Sequence, residues 1–157
     1  MKKAYISNPI TMTSWNYLLF YVARFGDGFS IRYRKTTHSF CQNLYYDKKS
    51  VGSIYIFGLR LYPDGKIHGY VARVYINKNF RNSGNAMRMM SDIIKNFGSC
   101  VLHIASVSPN RIDGLTDENR EEYRNKLYRF YEKFGFCRTS TNHTGMIRVP
   151  TGGNNEV

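Results

Sequence analysis

The run Asn79 Phe80 Arg81 Asn82 Ser83 Gly84 Asn85 Ala86 lies between a β-branched, aromatic-rich stretch, Tyr70 to Ile76, and an amphipathic helical one. That order places a loop of backbone amides at a helix N-terminus, where the first N–H groups have no intrahelical partner and the helix dipole is positive. Such a loop can cradle a phosphate. Gly84 has no Cβ to keep a pyrophosphate away from the backbone, and Lys78 and Arg88 stand nearby as cations. Two other groupings, His38xxCys41 and Cys100xxHis103, have the look of zinc half-sites. Residues three apart on a strand point to opposite faces, so Cys100 and His103 cannot chelate one ion from a strand, and no metal is expected. No GxSxG, HExxH or nucleotide P-loop occurs, which removes the commonest hydrolase and NTPase chemistries.

The elements that must hold the loop follow from periodicity. Val51 to Leu61 and Ile67 to Ile76 are two β-rich runs around Pro63 Asp64 Gly65 Lys66, a turn signal, and predict an antiparallel hairpin. Met87, Met90, Ile94 and Phe97 recur at helical spacing from near Gly84 to Gly98, and a short strand follows over Cys100 to Val107. Strand, helix, strand implies parallel neighbours joined by a right-handed crossover. Thr116 caps a second helix with Asp117 and Glu118 in its first turn, its apolar stripe being Tyr123, Leu127, Phe130 and Phe134 up to Gly135. Cys137 to Thr141 and Met146 to Val149 form a last hairpin. Upstream, Trp15, Leu18, Leu19, Val22 and Phe25 predict an amphipathic helix from Ser14 to Gly26 that covers one face of the sheet. Residues 29 to 50 hold at least one strand, over Phe29 to Arg34 or Phe40 to Tyr46.

A chain of 157 residues fits one domain, taken as 1–150, with 151–157 a disordered tail. Twenty-three Lys and Arg against eleven Asp and Glu give a net charge of +12. That balance favours a polyanionic ligand: a phosphorylated cofactor, nucleic acid or an acidic protein surface. Three widely spaced cysteines, Cys41, Cys100 and Cys137, suit a reducing compartment. The longest apolar run, Tyr17 to Ala23, is far below the ~20 residues that span a bilayer, and no signal-peptide cleavage site follows Lys2 and Lys3. A cytoplasmic protein without a membrane partner is expected.

ArgxxGlyxAla after a strand, together with Phe130 Tyr131 Glu132 Lys133 Phe134 Gly135 Phe136 at a helix end, resembles the two signature segments of the GCN5-related N-acetyltransferase (GNAT) superfamily. These enzymes move an acetyl group from acetyl-CoA to an amine. The likeness runs from about Val51 to Val149. It implies the GNAT acyl-CoA N-acyltransferase fold, of class α/β (α+β): a mixed, largely antiparallel sheet flanked by helices after its first, central and penultimate strands. The family usually has two helices between its first two strands, and one is legible here.

The resemblance also implies residue roles. Val74, Tyr75 and Ile76 would pair with the pantetheine arm as if it were another strand, and Arg81, Asn82, Ser83, Gly84, Asn85 and Ala86 would hold the pyrophosphate. Arg81 stands where the family has Gln or Arg, and Ala86 where it has Gly or Ala. Many relatives carry a glycine or a cation at the positions of Asn82 and Ser83. Tyr131 matches the tyrosine that protonates the departing thiolate, a role a phenol of reference pKa about 10 can fill. Family members often place a Glu or Asp base on the strand before the loop, yet Ile67 to Arg81 contains no acid and Arg73 occupies that place. Three readings stay open: a histidine, His68 or His103; an amine that arrives neutral; or a base in the Asp113 and Glu118 region. Asn125 is one residue out of register with the family's pantetheine-contacting Asn, and Arg124 aligns better, so that role is not carried over.

The expected activity is acetyl transfer from acetyl-CoA, as co-substrate, to a primary amine, with an anionic acceptor body suiting the surplus charge. The alternative is a catalytically weak or inactive protein of the same fold that grips nucleic acid or an acidic protein through residues such as Arg32, Arg34, Lys35, Lys48 and Lys49. Homodimerisation is compatible with either reading.

Overall fold

The computed structural model describes residues 22–36, 38–109, 115–139 and 144–151. Five strands come first: β1 (Val22–Arg24), β2 (Phe29–Lys35), β3 (Phe40–Tyr46), β4 (Lys49–Leu61) and β5 (Ile67–Ile76). Each pairs antiparallel with the next. Their connections are short because the turn chemistry is local. Asp47 and Lys48 both have positive φ (44° and 66°), the conformation of a two-residue hairpin whose twist matches its strands. Between β4 and β5, Lys66 N–H donates to Asp64 Oδ1 at 2.9 Å and Tyr62 N–H to Lys66 O at 2.9 Å, closing the predicted hairpin.

Both candidate strands in residues 29 to 50 are therefore present. The helix expected over Trp15 to Phe25 falls mostly on residues outside the described ones, and its last part is corrected. Val22–Arg24 is β1, with Val22 opposite Arg32 and Ala23 buried opposite Ile31. A glycine-bearing turn, with Gly26 and Gly28 at φ 77° and 87°, folds this segment back onto β2, and ladder pairing wins over the helical spacing. No helix follows the first strand among the described residues. The α-helices among the described residues come after β5 and β6.

Helix α1 (Asn85–Phe97) crosses over from β5 to β6 (Val101–Ile104), which pairs parallel with β5. Helix α2 (Asp117–Glu132) precedes β7 (Cys137–Arg138) and β8 (Met146–Arg148), giving eight strands in the order β1-β2-β3-β4-β5-β6-β8-β7. Thr116 starts α2 with a reciprocal cap: Asn119 N–H donates to Thr116 Oγ1, and Asn119 Oδ1 accepts from Thr116 N–H. The strands at 101–104 and 137–138 are shorter than the sequence suggests. No helix among the described residues is long and apolar enough to cross a membrane.

Alternation assigns the faces. Ile31, Tyr33, Phe40, Leu44, Ile54 and Ile56 are buried with Met89, Met90, Ile93 and Phe97 of α1. The stripe predicted for α1 is rotated. Met87 is exposed and Ile94 only partly buried, whereas Asn85, Met89, Asp92, Ile93 and Asn96 are inside. The reason is a polar cluster that the apolar pattern cannot show. Tyr33 OH donates to the Asp92 carboxyl, and Gln42 Nε2 donates to Tyr33 OH (3.2 Å), Met89 O (3.0 Å) and Asp92 Oδ2 (3.2 Å). Asn96 Nδ2 donates to Asp92 O at 2.9 Å. Burial, and then the Asp92 charge, push the Tyr33 hydroxyl well above the ordinary phenol range. This network ties β2 and β3 to α1. Asp92→Ala strands buried donors on two strands and should destabilise the fold by about 3 kcal/mol, against about 0.5 kcal/mol for an exposed change. Thermal unfolding of Asp92→Ala beside Lys126→Ala measures it, and equal melting temperatures would refute the assignment.

Candidate active site

The site is built where β5 loses a neighbour. The β4–β5 register steps between Tyr55 opposite Arg73 and Ile56 opposite Val71, so Ala72 is an extra residue in β5, a bulge. On its other side β5 pairs with β6 only at His68, Gly69 and Tyr70. From Val71 to Ile76 the backbone on that side has no strand partner among the described residues, and of its polar groups Ile76 C=O accepts from the Arg81 side chain. Of the three residues assigned there, Ile76 is buried, Val74 is partly buried against the core, and Tyr75 is exposed with Arg73 over its ring at 5.0 Å.

This unpaired edge runs directly into the loop before α1. Residues 78–80 make one turn of 3-10 helix, Asn82 and Gly84 take left-handed conformations (φ 59° and 79°), and Gly84 is the helix N-cap without a side-chain capping bond. The helical ladder begins with Arg88 N–H donating to Gly84 O at 3.0 Å. The amides of Asn85, Ala86 and Met87 therefore precede that ladder. A Cβ built on Gly84 would meet nothing within 4 Å, so the space beside Gly84 itself is open. Glycine is required there by the backbone as well, because φ near +79° strains any other residue.

The side chains of the loop largely brace the loop itself. Arg81 Nε donates to Ile76 O (2.8 Å), Ser83 Oγ to Phe80 O (3.0 Å), and the buried Asn85 donates from Nδ2 to Phe80 O and Ser83 Oγ, both at 3.0 Å. Arg88, expected as a supporting cation, is paired with Asp27 at 2.7 Å and lies over the Phe25 ring. With Arg88 so engaged, anion binding falls to the loop's amides, with the exposed Lys78 nearby.

Tyr131 sits in the last turn of α2. It is buried, in edge contact with Phe130 and Phe136 at 5.3 and 5.8 Å between ring centroids, and burial pushes its hydroxyl up to about 12. The predicted stripe of α2 is shifted toward it: Tyr128 and Tyr131 are the fully buried residues, with Leu127, Phe130 and Phe134 partly so. Arg124 donates from Nε to Val107 O at 3.3 Å and pairs with Glu121. Asp113 lies outside the described residues, and Glu118 is exposed at the start of α2.

Of the open readings for a base, the structure joins the two histidines. His68 Nδ1 is 2.9 Å from His103 Nε2, and His68 Nε2 is 2.7 Å from Asp64 Oδ2. With the His68 Nε2–H directed at the carboxylate, His68 Nδ1 accepts from His103 Nε2–H, and the His103 lone pair remains on Nδ1. Burial and the neighbouring His68 lower the His103 pKa from its ordinary value, and the His68 hydrogen bond lowers that of Asp64. Tyr70, the last β5 residue paired with β6, stacks on His103 at 4.9 Å. The chain of groups ends at an exposed carboxylate and begins where β5 and β6 part. Asp64 was legible only as a turn residue; its four-residue spacing to His68 across the turn was the available signal.

No protein-family model and no curated protein matches the sequence. Solved structures do. PH1933 from Pyrococcus horikoshii OT3 is similar with a TM-score of 0.51 and 18% identity, over 69% of this chain and 64% of that one, so the chain spans just under two thirds of its length. A structure assigned to the GNAT family of acetyltransferases, from Bacteroides thetaiotaomicron, gives a TM-score of 0.50 at 12% identity, over 77% of this chain and 67% of that one. The chain has the GNAT fold. KacTA, solved in a complex with DNA, is also similar, with a TM-score of 0.50 and 10% identity over 72% of this chain and 69% of that one. At these identities the likeness is one of architecture. Within the GNAT fold, the parting of β5 from β6 and the uncapped start of α1 are features of this chain's own backbone.

Proposed function

We propose that the protein transfers an acetyl group from acetyl-CoA to a primary amine, within a ternary complex and with the amine arriving opposite the cofactor. The observation that carries this reading is the continuity of the free β5 edge with the uncapped amides of α1. An extended amide-bearing arm lying along Val74, Tyr75 and Ile76 would carry its pyrophosphate toward Asn85, Ala86 and Met87, because the loop of residues 77–84 joins the two sites. When bound, acetyl-CoA supplies a thioester carbonyl open to nucleophilic attack.

The chain's own groups then have distinct tasks. Arg81 and Asn85 fix the loop so that its amides are pre-organised, which lowers the entropy lost on binding. Tyr131, neutral throughout the physiological range, donates its proton to the departing sulfur. His103 Nδ1 takes the amine's proton, and the relay through His68 to Asp64 passes the charge to solvent. A basic chain repels polycations, so the amine is borne on a neutral or anionic body.

Gly84→Val would remove cofactor binding but also strain the backbone. Met87→Glu separates the two effects. An acid at the third helical position favours the helix start while repelling a pyrophosphate at the same amides. Calorimetry should show CoA affinity at least 10-fold weaker, about 1.4 kcal/mol, with a melting temperature unchanged or raised. Wild-type protein that binds no CoA, or an unaffected Met87→Glu variant, would overturn the reading. Acetyl-CoA turnover across a panel of amines identifies the acceptor.

A further inference from the structure

The sheet face away from α1 carries a pattern that acetyl transfer does not use. Register places Arg32, Asn43, Ser53 and Tyr75 side by side across β2 to β5, with Arg34, Cys41, Tyr55 and Arg73 in the next row. Burial pushes the Cys41 thiol up, and the nearby Arg34 and Arg73 charges oppose that rise, as their place in this row implies. Beyond them the rings line up: Tyr55 and Phe57 at 6.3 Å and 13° between planes, and Phe57 and Tyr70 at 5.5 Å and 29°. Tyr55, Phe57 and Tyr75 are 40%, 41% and 39% exposed, far more than rings of a sheet interior. None of the strands β2 to β5 contains an Asp or Glu.

We propose that this face binds single-stranded nucleic acid, with bases stacking on Tyr55 and Phe57 and phosphates meeting Arg32, Arg34 and Arg73. Charge and shape select that occupant together. Arg32, Arg34 and Arg73 form no ion pair with a carboxylate among the described residues, and guanidinium groups so placed point to a polyanion. Near-parallel exposed rings offer flat faces to other flat groups, which an acidic peptide or a sulfated glycan lacks and unpaired bases supply. A duplex buries its bases and cannot use the rings. The inference is independent of acetyl transfer, although the face adjoins His103, so a bound strand would lie beside the candidate reaction centre.

The test uses the full chain and a fluorescein-labelled single-stranded RNA of mixed sequence, followed by anisotropy at several salt concentrations. Wild type should bind, with log K falling linearly in log salt by roughly 0.7 per phosphate contacted. Tyr55→Ala with Phe57→Ala, which changes no charge, should weaken binding between about 5-fold and 100-fold. Replacing Arg32 and Arg34 by Gln should lower the salt slope by roughly 0.7 per lost contact. Lys126→Gln with Arg120→Gln on α2 should change neither. Duplex RNA and heparin should bind more weakly than the single strand. Absence of binding at 0.15 M salt, equal affinity of the ring variant and wild type, or a preference for heparin would each overturn the proposal. The last two outcomes would reassign the interaction to the general field of a +12 protein.

Discussion

Tyr131→Phe should lower kcat about 10²- to 10⁴-fold, the range for loss of a positioned general acid, with CoA affinity and melting temperature nearly unchanged. The substitution keeps the ring, its contacts with Phe130 and Phe136, and the packing of α2, and removes only the hydroxyl. That hydroxyl is held up to about 12 by burial, so it stays protonated through any practical assay range and imposes no falling limb near neutrality. Steady-state kinetics beside calorimetric CoA titration reads the effect. An active enzyme whose kcat ignores the substitution would make Tyr131 a core residue alone.

His103→Asn should lower kcat/KM by about 10²-fold or more and also change the shape of its pH profile. In the wild type, burial and His68 both favour neutral His103, so its folded pKa lies below the ordinary value of about 6.5. Protonation removes the acceptor lone pair, and activity should rise with pH through a limb below 6.5. The same depression links to stability. His103 contributes above the unfolded value, and that contribution is lost as pH falls through the folded one. His103→Asn should abolish the limb, while His68→Asn removes the neighbouring imidazole that, after burial, helps depress His103 and should move the limb upward. A merely structural histidine pair would leave the profile in place. Superimposable profiles of wild type and both variants would sink the relay.

The β4–β5 hairpin, the crossover through α1 and the cap of α2 at Thr116 were legible because each depends on neighbours in sequence: a turn residue, a helical period, a side chain three residues from its amide. The rest depends on partners far along the chain. Val22 fits a helical period, but Arg32 opposite it makes it part of a strand. Which side of α1 is buried was decided by Tyr33 and Gln42, whose polar atoms select Asp92 and Asn96 over Met87. The cradle segment could be located from Gly84 and its flanking elements, whereas the inward turn of Arg81 toward Ile76 O required the folded loop. The histidines were visible singly. Their contact needs β6 to lie beside β5 in one register, and nothing local to Val101–Ile104 specifies it.

The unpaired run Val71–Ile76 has a further consequence, one of cross-section. Neighbouring strands sit about 4.8 Å apart, so where two begin to diverge the opening is narrow at first and admits a single chain before anything broader. A globular ligand, a fused ring system or a second folded sheet edge cannot reach the backbone groups inside. A thin, linear molecule carrying its own amides can, lengthwise. An unsatisfied edge on the outside of a sheet invites any passing strand; set between β4 and β6, the same hydrogen-bonding groups are sieved by width before chemistry is consulted.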